Sequence, residues 1–244
     1  MKTAVLKQII LVTDGQSNIG GDPVISAKHA YNKNIIVNTI GILNSEDSKD
    51  NAYDEVINIA KAGGGHYEYT HIDYLYQTMK SMTIRTVNQT IQQAVNKQLK
   101  EILGQGLEEI EPKSRGKLLN YIEEYSSEIE ISCCILMDCS GSMSKKLDEA
   151  RYSVLDLVES LSNRKGNANV ALIAFPGRGT ESYEVVHNFN DDINSLKANL
   201  YETKASGGTP TAPAIEKAIS LIEEFCNNSS LLDRGYGELE ECYG

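Results

Sequence analysis

The 244-residue sequence has no apolar run long enough to cross a membrane. The apolar stretch near its N-terminus is interrupted by Lys7 and ended by Asp14, and no small-residue cleavage site of a secretory signal follows. The lack of these segments predicts a cytoplasmic protein with no membrane partner.

Positive charge is also scarce, since 23 Lys and Arg residues face 34 Asp and Glu residues and the formal net charge is −11. Nucleic acid and anionic lipid are both polyanionic, so a chain of this sign does not attract them electrostatically. We therefore expect no nucleic acid as a partner, whereas divalent cations and basic protein surfaces are compatible with the composition.

No pair of the five cysteines has zinc-site spacing with the four histidines. Three of the cysteines, Cys133, Cys134 and Cys139, lie in or beside one apolar run. Neighbouring residues of a strand point to opposite faces, so these thiols are poorly placed to form a disulfide framework. We interpret them as small buried apolar side chains in a reducing compartment.

What the sequence does contain is a regular alternation of strand and helix patterns. Predicted strands cover 7–13, 35–42, 66–70, 131–137, 168–175 and 182–189. Predicted helices cover 23–32, 52–62, 72–86, 87–103, 112–125, 144–162, 192–203 and a last segment from the glycine turn at 205–211 to about residue 226. Such alternation is typical of an α/β fold with parallel strands. We predict a doubly wound, Rossmann-like, mostly parallel six-stranded sheet with one antiparallel edge strand and helices on both faces.

Oxygen-bearing side chains follow three of these segments. Asp138, Ser140 and Ser142 lie on a tight turn between a buried strand and a helix, and a carboxylate with two hydroxyls suits a hard divalent cation. Three protein oxygens are too few to hold one, but Asp14 follows the first strand and Thr209 precedes the last helix. In a doubly wound sheet the carboxyl ends of strands meet where the strand order reverses. We therefore expect the five residues to converge on Mg²⁺ or Mn²⁺, in preference to Ca²⁺, with at least one position open.

The simpler interpretation of Asp138 and the two serines is a strand-end turn that caps a helix. It explains the first motif alone, but not why Asp14 and Thr209 occupy comparable positions elsewhere. The combination favours a metal site.

The three motifs together resemble the metal-ion-dependent adhesion site (MIDAS) of the von Willebrand factor A (VWA) family. They are DCSGS at 138–142, GGT at 207–209 and TDG at 13–15. The resemblance implies that Ser140, Ser142 and Thr209 are direct or nearly direct ligands, and that Asp138 and Asp14 act partly through water. It also implies a non-enzymatic protein-binding module, in which an Asp or Glu of a partner protein fills the open position. Partners of the kind the resemblance suggests are AAA+ ATPases and phospho-signalling enzymes.

The order of the motifs departs from the family pattern, because TDG comes first here and last in the family. The chain therefore resembles circularly permuted, standalone bacterial VWA proteins of the YabS type. In this interpretation 1–86 is the C-terminal half of the fold, 87–128 a polar helical connector without a buried-looking run, 129–228 the N-terminal half, and 229–244 an acidic tail. The alternative is two half-domains that are each completed by another chain through swapping. No predicted strand is duplicated, which favours one closed domain.

A metal-dependent phosphatase or hydrolase is the alternative function. An aspartate after a buried strand also begins haloacid-dehalogenase-type phosphatases, but those need a second aspartate two residues on, where this chain has Ser140. No histidine, lysine or cysteine is expected by motif beside the carboxylates as a base or nucleophile. The sequence thus predicts binding and not turnover.

Overall fold

A computed structural model describes residues 5–43 and 50–240, with side chains throughout these ranges except at 50–53 and 229–240. The strands are β1 (Val5–Thr13), β2 (Ile36–Ile42), β3 (Gly64–Thr70), β4 (Glu130–Asp138), β5 (Ala168–Phe175) and β6 (Glu184–His187). The helices are α1 (Pro23–Asn32), α2 (Asp50–Ala62), α3 (Leu75–Leu103), α4 (Pro112–Ser126), α5 (Leu147–Ser162), α6 (Ile193–Glu202) and α7 (Thr211–Glu240). Short 3-10 turns lie at Ile72–Tyr74, Leu107–Glu109 and Gly141–Lys145.

The strands form one six-stranded sheet in the order β3-β2-β1-β4-β5-β6. All neighbouring pairs are parallel except β5 with β6, which is antiparallel at the sheet edge. The middle strands β1 and β4 are apolar and buried along nearly their whole length, as expected for strands covered on both faces. This confirms the predicted fold class. The strand order reverses between β1 and β4, so the crevice beyond their carboxyl ends is where such a sheet binds ligands.

Helices cover both faces of the sheet, and each face has its own apolar core. On one face, buried side chains of α3, α4, α5 and α6 pack against the strands. On the other face, α1, α2 and α7 do the same. Cys133 belongs to the first core and Cys134 to the second, which agrees with the prediction that these neighbours point to opposite faces.

Helix α3 runs unbroken through the two helices predicted at 72–86 and 87–103, and it ends at Gly104, which has a φ of 69°. The connector 87–128 contributes three separate apolar residues to the core, which its polar composition did not indicate. Val87 and Ile91 of α3 and Ile122 of α4 are all buried in the core. Val87 and Ile91 continue the buried face of α3 that begins at Leu75, and the polar residues between them obscured this periodicity in the sequence.

Other elements differ from their predicted bounds at their ends. Strand β3 begins at Gly64, two residues before its predicted start, where Gly64 pairs with Val37 of β2. Gly64 has a φ of 66°, and a side chain at Gly65 would collide with the carbonyl group of Val37. Helix α7 continues to Glu240 instead of ending near residue 226. Residues 44–49, between the predicted strand 35–42 and the predicted helix 52–62, lie outside the described residues, as do residues 241–244 of the predicted acidic tail. Within the described part of the chain, none of the helices combines the length and the apolar character that a membrane span requires.

Candidate functional site

The two carboxylates predicted to share a site lie at the same edge of the sheet. Strands β1 and β4 pair in parallel, with Val12 opposite Met137, so Asp14 and Asp138 follow neighbouring strands at their carboxyl ends. Both side chains are fully buried, with 0 % exposure. Burial of two acidic groups side by side is costly unless hydrogen bonds or positive charge compensate them.

Asp138 is held by hydrogen bonds to both carboxylate oxygens. The Thr13 hydroxyl donates to Oδ2 at 2.6 Å, and the backbone N–H of Ser140 donates to Oδ1 at 2.7 Å. Thr13 belongs to the TDG motif, but its hydroxyl was not among the predicted site groups. These two bonds fix the orientation of the carboxylate, and each oxygen still has a lone pair to offer.

A chain of hydroxyls connects this turn to Asp14. Ser140 Oγ lies 3.0 Å from Ser142 Oγ, and Ser142 Oγ donates to Asp14 Oδ1 at 2.6 Å. Asp14 and Ser142 are 128 residues apart in the sequence. The structure thus brings together four of the five predicted site residues through their own side chains.

Thr209 is brought to the same place by its backbone. Its N–H donates to Asn18 Oδ1 at 2.8 Å, and its carbonyl oxygen accepts from the Asn18 N–H and the Ser17 hydroxyl, each at 3.2 Å. These bonds fasten the GGT turn to the loop that follows β1. Asn18 had no assigned role in the sequence argument, because nothing local marks its side chain as a partner of a residue 191 positions away.

The GGT turn is also fastened to the Asp138 turn. Gly141 N–H donates to the Gly207 carbonyl at 3.2 Å, and Ser206 N–H donates to the Cys139 carbonyl at 2.9 Å. The segments that carry Asp14, Asp138 and Thr209 are therefore linked pairwise.

Lys146 is the residue that sequence reasoning missed. It is the residue directly before α5, and its ammonium group donates a hydrogen bond to Asp14 Oδ2. The motifs indicated no lysine beside the carboxylates as a base or nucleophile, and the structure places Lys146 there as an ion-pair partner of Asp14. Lys146 lies outside the three motifs, and no local pattern marks it, because the folded Gly141–Lys145 turn is what brings the lysine close to Asp14 after β1.

Burial raises the pKa of the Asp138 carboxyl from its ordinary value of 3.8 to about 6. The hydrogen bonds from Thr13 and Ser140 oppose this rise because they stabilise the ionised form, whereas the nearby charge of Asp14 adds to it. Burial likewise raises the pKa of the Cys139 thiol to about 12. That thiol is therefore protonated at neutral pH, which disfavours it as a nucleophile.

The donor set suits a small hard cation. The predicted set consists of two carboxylates and the hydroxyls of Ser140, Ser142 and Thr209, all oxygen donors, and Mg²⁺ commonly completes such a set with water. No cluster of three or more His, Cys, Asp or Glu side chains able to hold a metal occurs among the described residues. An ion at this site would therefore depend on hydroxyl and water oxygens, which disfavours zinc.

In the metal-free protein, we expect stability to fall as the pH rises from about 4 to about 6 and then to level off. The folded state holds the Asp138 proton more tightly than the unfolded state, so it loses stability as that proton is removed. A pKa raised from 3.8 to about 6 corresponds to about 3 kcal/mol in the free energy of unfolding. Chemical denaturation of the wild type and of Asp138→Asn across this range measures the effect, and an equal pH slope in both proteins would contradict it.

Three comparisons place the chain among known proteins. Residues 133–231 match the von Willebrand factor type A domain. The uncharacterised protein YabS of Bacillus subtilis is 36% identical over 234 residues, which are 95% of each chain. YwmC, another uncharacterised protein of the same organism, is 41% identical over 69 residues, or 28% of this chain and 29% of that protein.

Among solved structures, a crystal structure of an uncharacterised protein from Alicyclobacillus acidocaldarius is similar to this fold. It has a TM-score of 0.85 and 36% sequence identity, and the match covers 92% of this chain and 97% of that one. This structural match agrees with the doubly wound sheet described above. The chain therefore contains a von Willebrand factor type A domain and belongs to one family with the Bacillus subtilis protein YabS.

Proposed function

We propose that this protein is a metal-dependent binding module, in which Mg²⁺ or Mn²⁺ at a MIDAS captures an acidic side chain of a partner protein. The proposed ligands are those predicted from the sequence: Asp14, Asp138, Ser140, Ser142 and Thr209. The observation that carries the proposal is the 2.6 Å hydrogen bond from Ser142 to Asp14, which joins two of the motifs across the switch point of the sheet.

The chemistry of the donors favours a carboxylate as the incoming group. Mg²⁺ takes six oxygens, and the hydroxyls of Ser140, Ser142 and Thr209 bring no charge to it. An ion with neutral hydroxyls close to it and carboxylates acting partly through water keeps much of its positive charge. The carboxylate of a partner's Asp or Glu would neutralise this charge and fill the open coordination position.

We also propose that the chain is a circularly permuted VWA domain. The family match begins at residue 133, within β4, and ends at residue 231, so it includes Asp138 and Thr209 but not Asp14. The missing motif comes from β1, which pairs with β4 inside the same sheet. Helices α3 and α4 lie between the two segments in the sequence and lead into β4, as a connector between permuted halves would.

Binding without turnover is part of this proposal. The buried Cys139 thiol is protonated at neutral pH, and the Lys146 ammonium is already paired with Asp14. Neither group is free to act as a base on a bound substrate. A cytoplasmic regulatory or assembly role in a bacterium, beside an AAA+ ATPase or a phospho-signalling enzyme, completes the proposal.

The decisive variant is Thr209→Ala, because the hydrogen bonds that hold Thr209 in place use its backbone atoms and survive the change. On an array of peptides with one central Glu or Asp, we expect the wild type to bind in Mg²⁺ and not in EDTA. Peptides with Gln or Asn at that position should not bind. Thr209→Ala should weaken binding by about tenfold or more, since it removes a ligand. The exposed Thr180→Ala is the matched control and should behave as the wild type.

Binding of acidic peptides that is indifferent to both EDTA and Thr209→Ala would contradict the proposal. The enzyme alternative has its own signature. Phosphate release from p-nitrophenyl phosphate in Mg²⁺, lost in Asp138→Ala but kept in Thr180→Ala, would replace the binding function with a hydrolytic one.

A further inference from the structure

Lys146 is drawn into the site instead of extending into solvent. Its side chain is 14 % exposed, and the Asp14 side chain that it contacts is 0 % exposed. Lysines are seldom buried to this degree unless they are paired with an acidic group. Lys145, the residue before it, is exposed, so only Lys146 of these two neighbouring lysines points into the site.

The backbone holds Lys146 in this position. Its N–H donates to the Met143 carbonyl at 2.8 Å, and its own carbonyl accepts from Ala150 N–H at 2.9 Å. These bonds join the 3-10 turn that carries Ser142 to the first turn of α5. The backbone of Lys146 is therefore fixed to the same turn as Ser142, one of the proposed metal ligands.

Both oxygens of Asp14 are occupied in this arrangement. Oδ1 accepts from the Ser142 hydroxyl and Oδ2 accepts from the Lys146 ammonium. Among the described residues, Lys146 is the cationic side chain that forms an ion pair with one of the two site carboxylates. It supplies positive charge at the place where a bound cation would supply it.

We propose that Lys146 is a resident counter-ion that competes with the divalent metal for Asp14 and so sets the metal affinity of the site. This inference rests on the proposed metal site. A metal that uses Asp14, directly or through water, must displace the ammonium or share the carboxylate with it. Either outcome opposes metal binding, because two positive groups then compete for one buried carboxylate. In the metal-free protein the same ammonium stabilises the buried charge of Asp14.

The test compares Lys146→Met, which removes the charge and keeps most of the aliphatic length, with Lys145→Met, which makes the same change on an exposed neighbour. Calorimetric titration with Mn²⁺ should show about tenfold tighter binding to Lys146→Met than to the wild type. Lys145→Met should stay within about twofold of the wild type, since an exposed charge is screened. Lys146→Arg keeps the charge and should restore affinity close to the wild-type value.

Without metal, Lys146→Met should have a lower melting temperature than the wild type, and saturating Mn²⁺ should remove that difference in melting temperature.

The outcomes separate this inference from the function on which it rests. If the wild type binds Mn²⁺ and Lys146→Met binds equally or more weakly, the lysine is only structural and the inference fails while the metal site stands. If Lys146→Met binds Mn²⁺ and the wild type does not, the inference holds and the native site is not a metal site. If neither protein binds Mn²⁺, both proposals are overturned.

Discussion

Saturating Mg²⁺ or Mn²⁺ should raise the free energy of unfolding of the metal-free protein by about 2.7 kcal/mol when the free ion is present at about 100 times its Kd. The reason lies in the sequence separation of the ligands. Asp14 and Ser142 are 128 residues apart, so the unfolded chain does not hold them together and only the folded state binds the ion. The binding free energy therefore becomes folding free energy.

Asp138→Asn should abolish this gain, because it removes one of the two buried carboxylates while keeping the shape of the side chain. Asp73→Asn, at an exposed aspartate outside the site, should keep the full gain. Chemical denaturation followed by circular dichroism, with and without the ion, measures both. A metal-induced stabilisation that is equal in Asp138→Asn and the wild type would place the ion elsewhere and contradict the proposed site.

Ile10→Ala should destabilise the whole domain by about 2–5 kcal/mol, the usual cost of emptying a buried apolar position. Ile10 is 0 % exposed in the middle of β1, where it pairs in register with Ile135 of β4 on one side and Asn38 of β2 on the other. Because β1 joins the two halves of the sheet, the loss of stability should be equal in both halves. The exposed Ile25→Ala should change stability by about 0.5 kcal/mol or less.

Hydrogen exchange measures this effect strand by strand. In Ile10→Ala, the amides of β5 should lose protection to the same extent as those of β2, as in a single cooperative unit. The swapped arrangement makes the opposite prediction. It requires a dimer in sedimentation, a melting temperature that rises with protein concentration, and unequal losses in the two segments.

The fold class could be predicted because its signals are local. The apolar runs that become β1, β4 and β5 are continuous, and a helical pattern follows β1 and β4, whereas β5 is followed by a short loop and the edge strand β6. These patterns were enough for the six strands, the antiparallel edge and the helices on both faces. They were not enough for the extent of α3, because the burial of Val87 and Ile91 depends on what the helix packs against and not on its own polarity.

By itself, the sequence determined which residues carry the oxygen donors and, through the strand–helix alternation, that Asp14 and Asp138 lie at the ends of strands of one parallel sheet and Thr209 at the start of a helix. Only the tertiary structure decided that β1 and β4 are neighbours, that Thr13 orients Asp138, that Asn18 holds Thr209 and that Lys146 pairs with Asp14. The physical reason is how far apart the interacting residues lie along the chain. Strand and helix patterns depend on residues a few positions apart, whereas these contacts join residues 125 to 191 positions apart and depend on how the whole sheet is assembled.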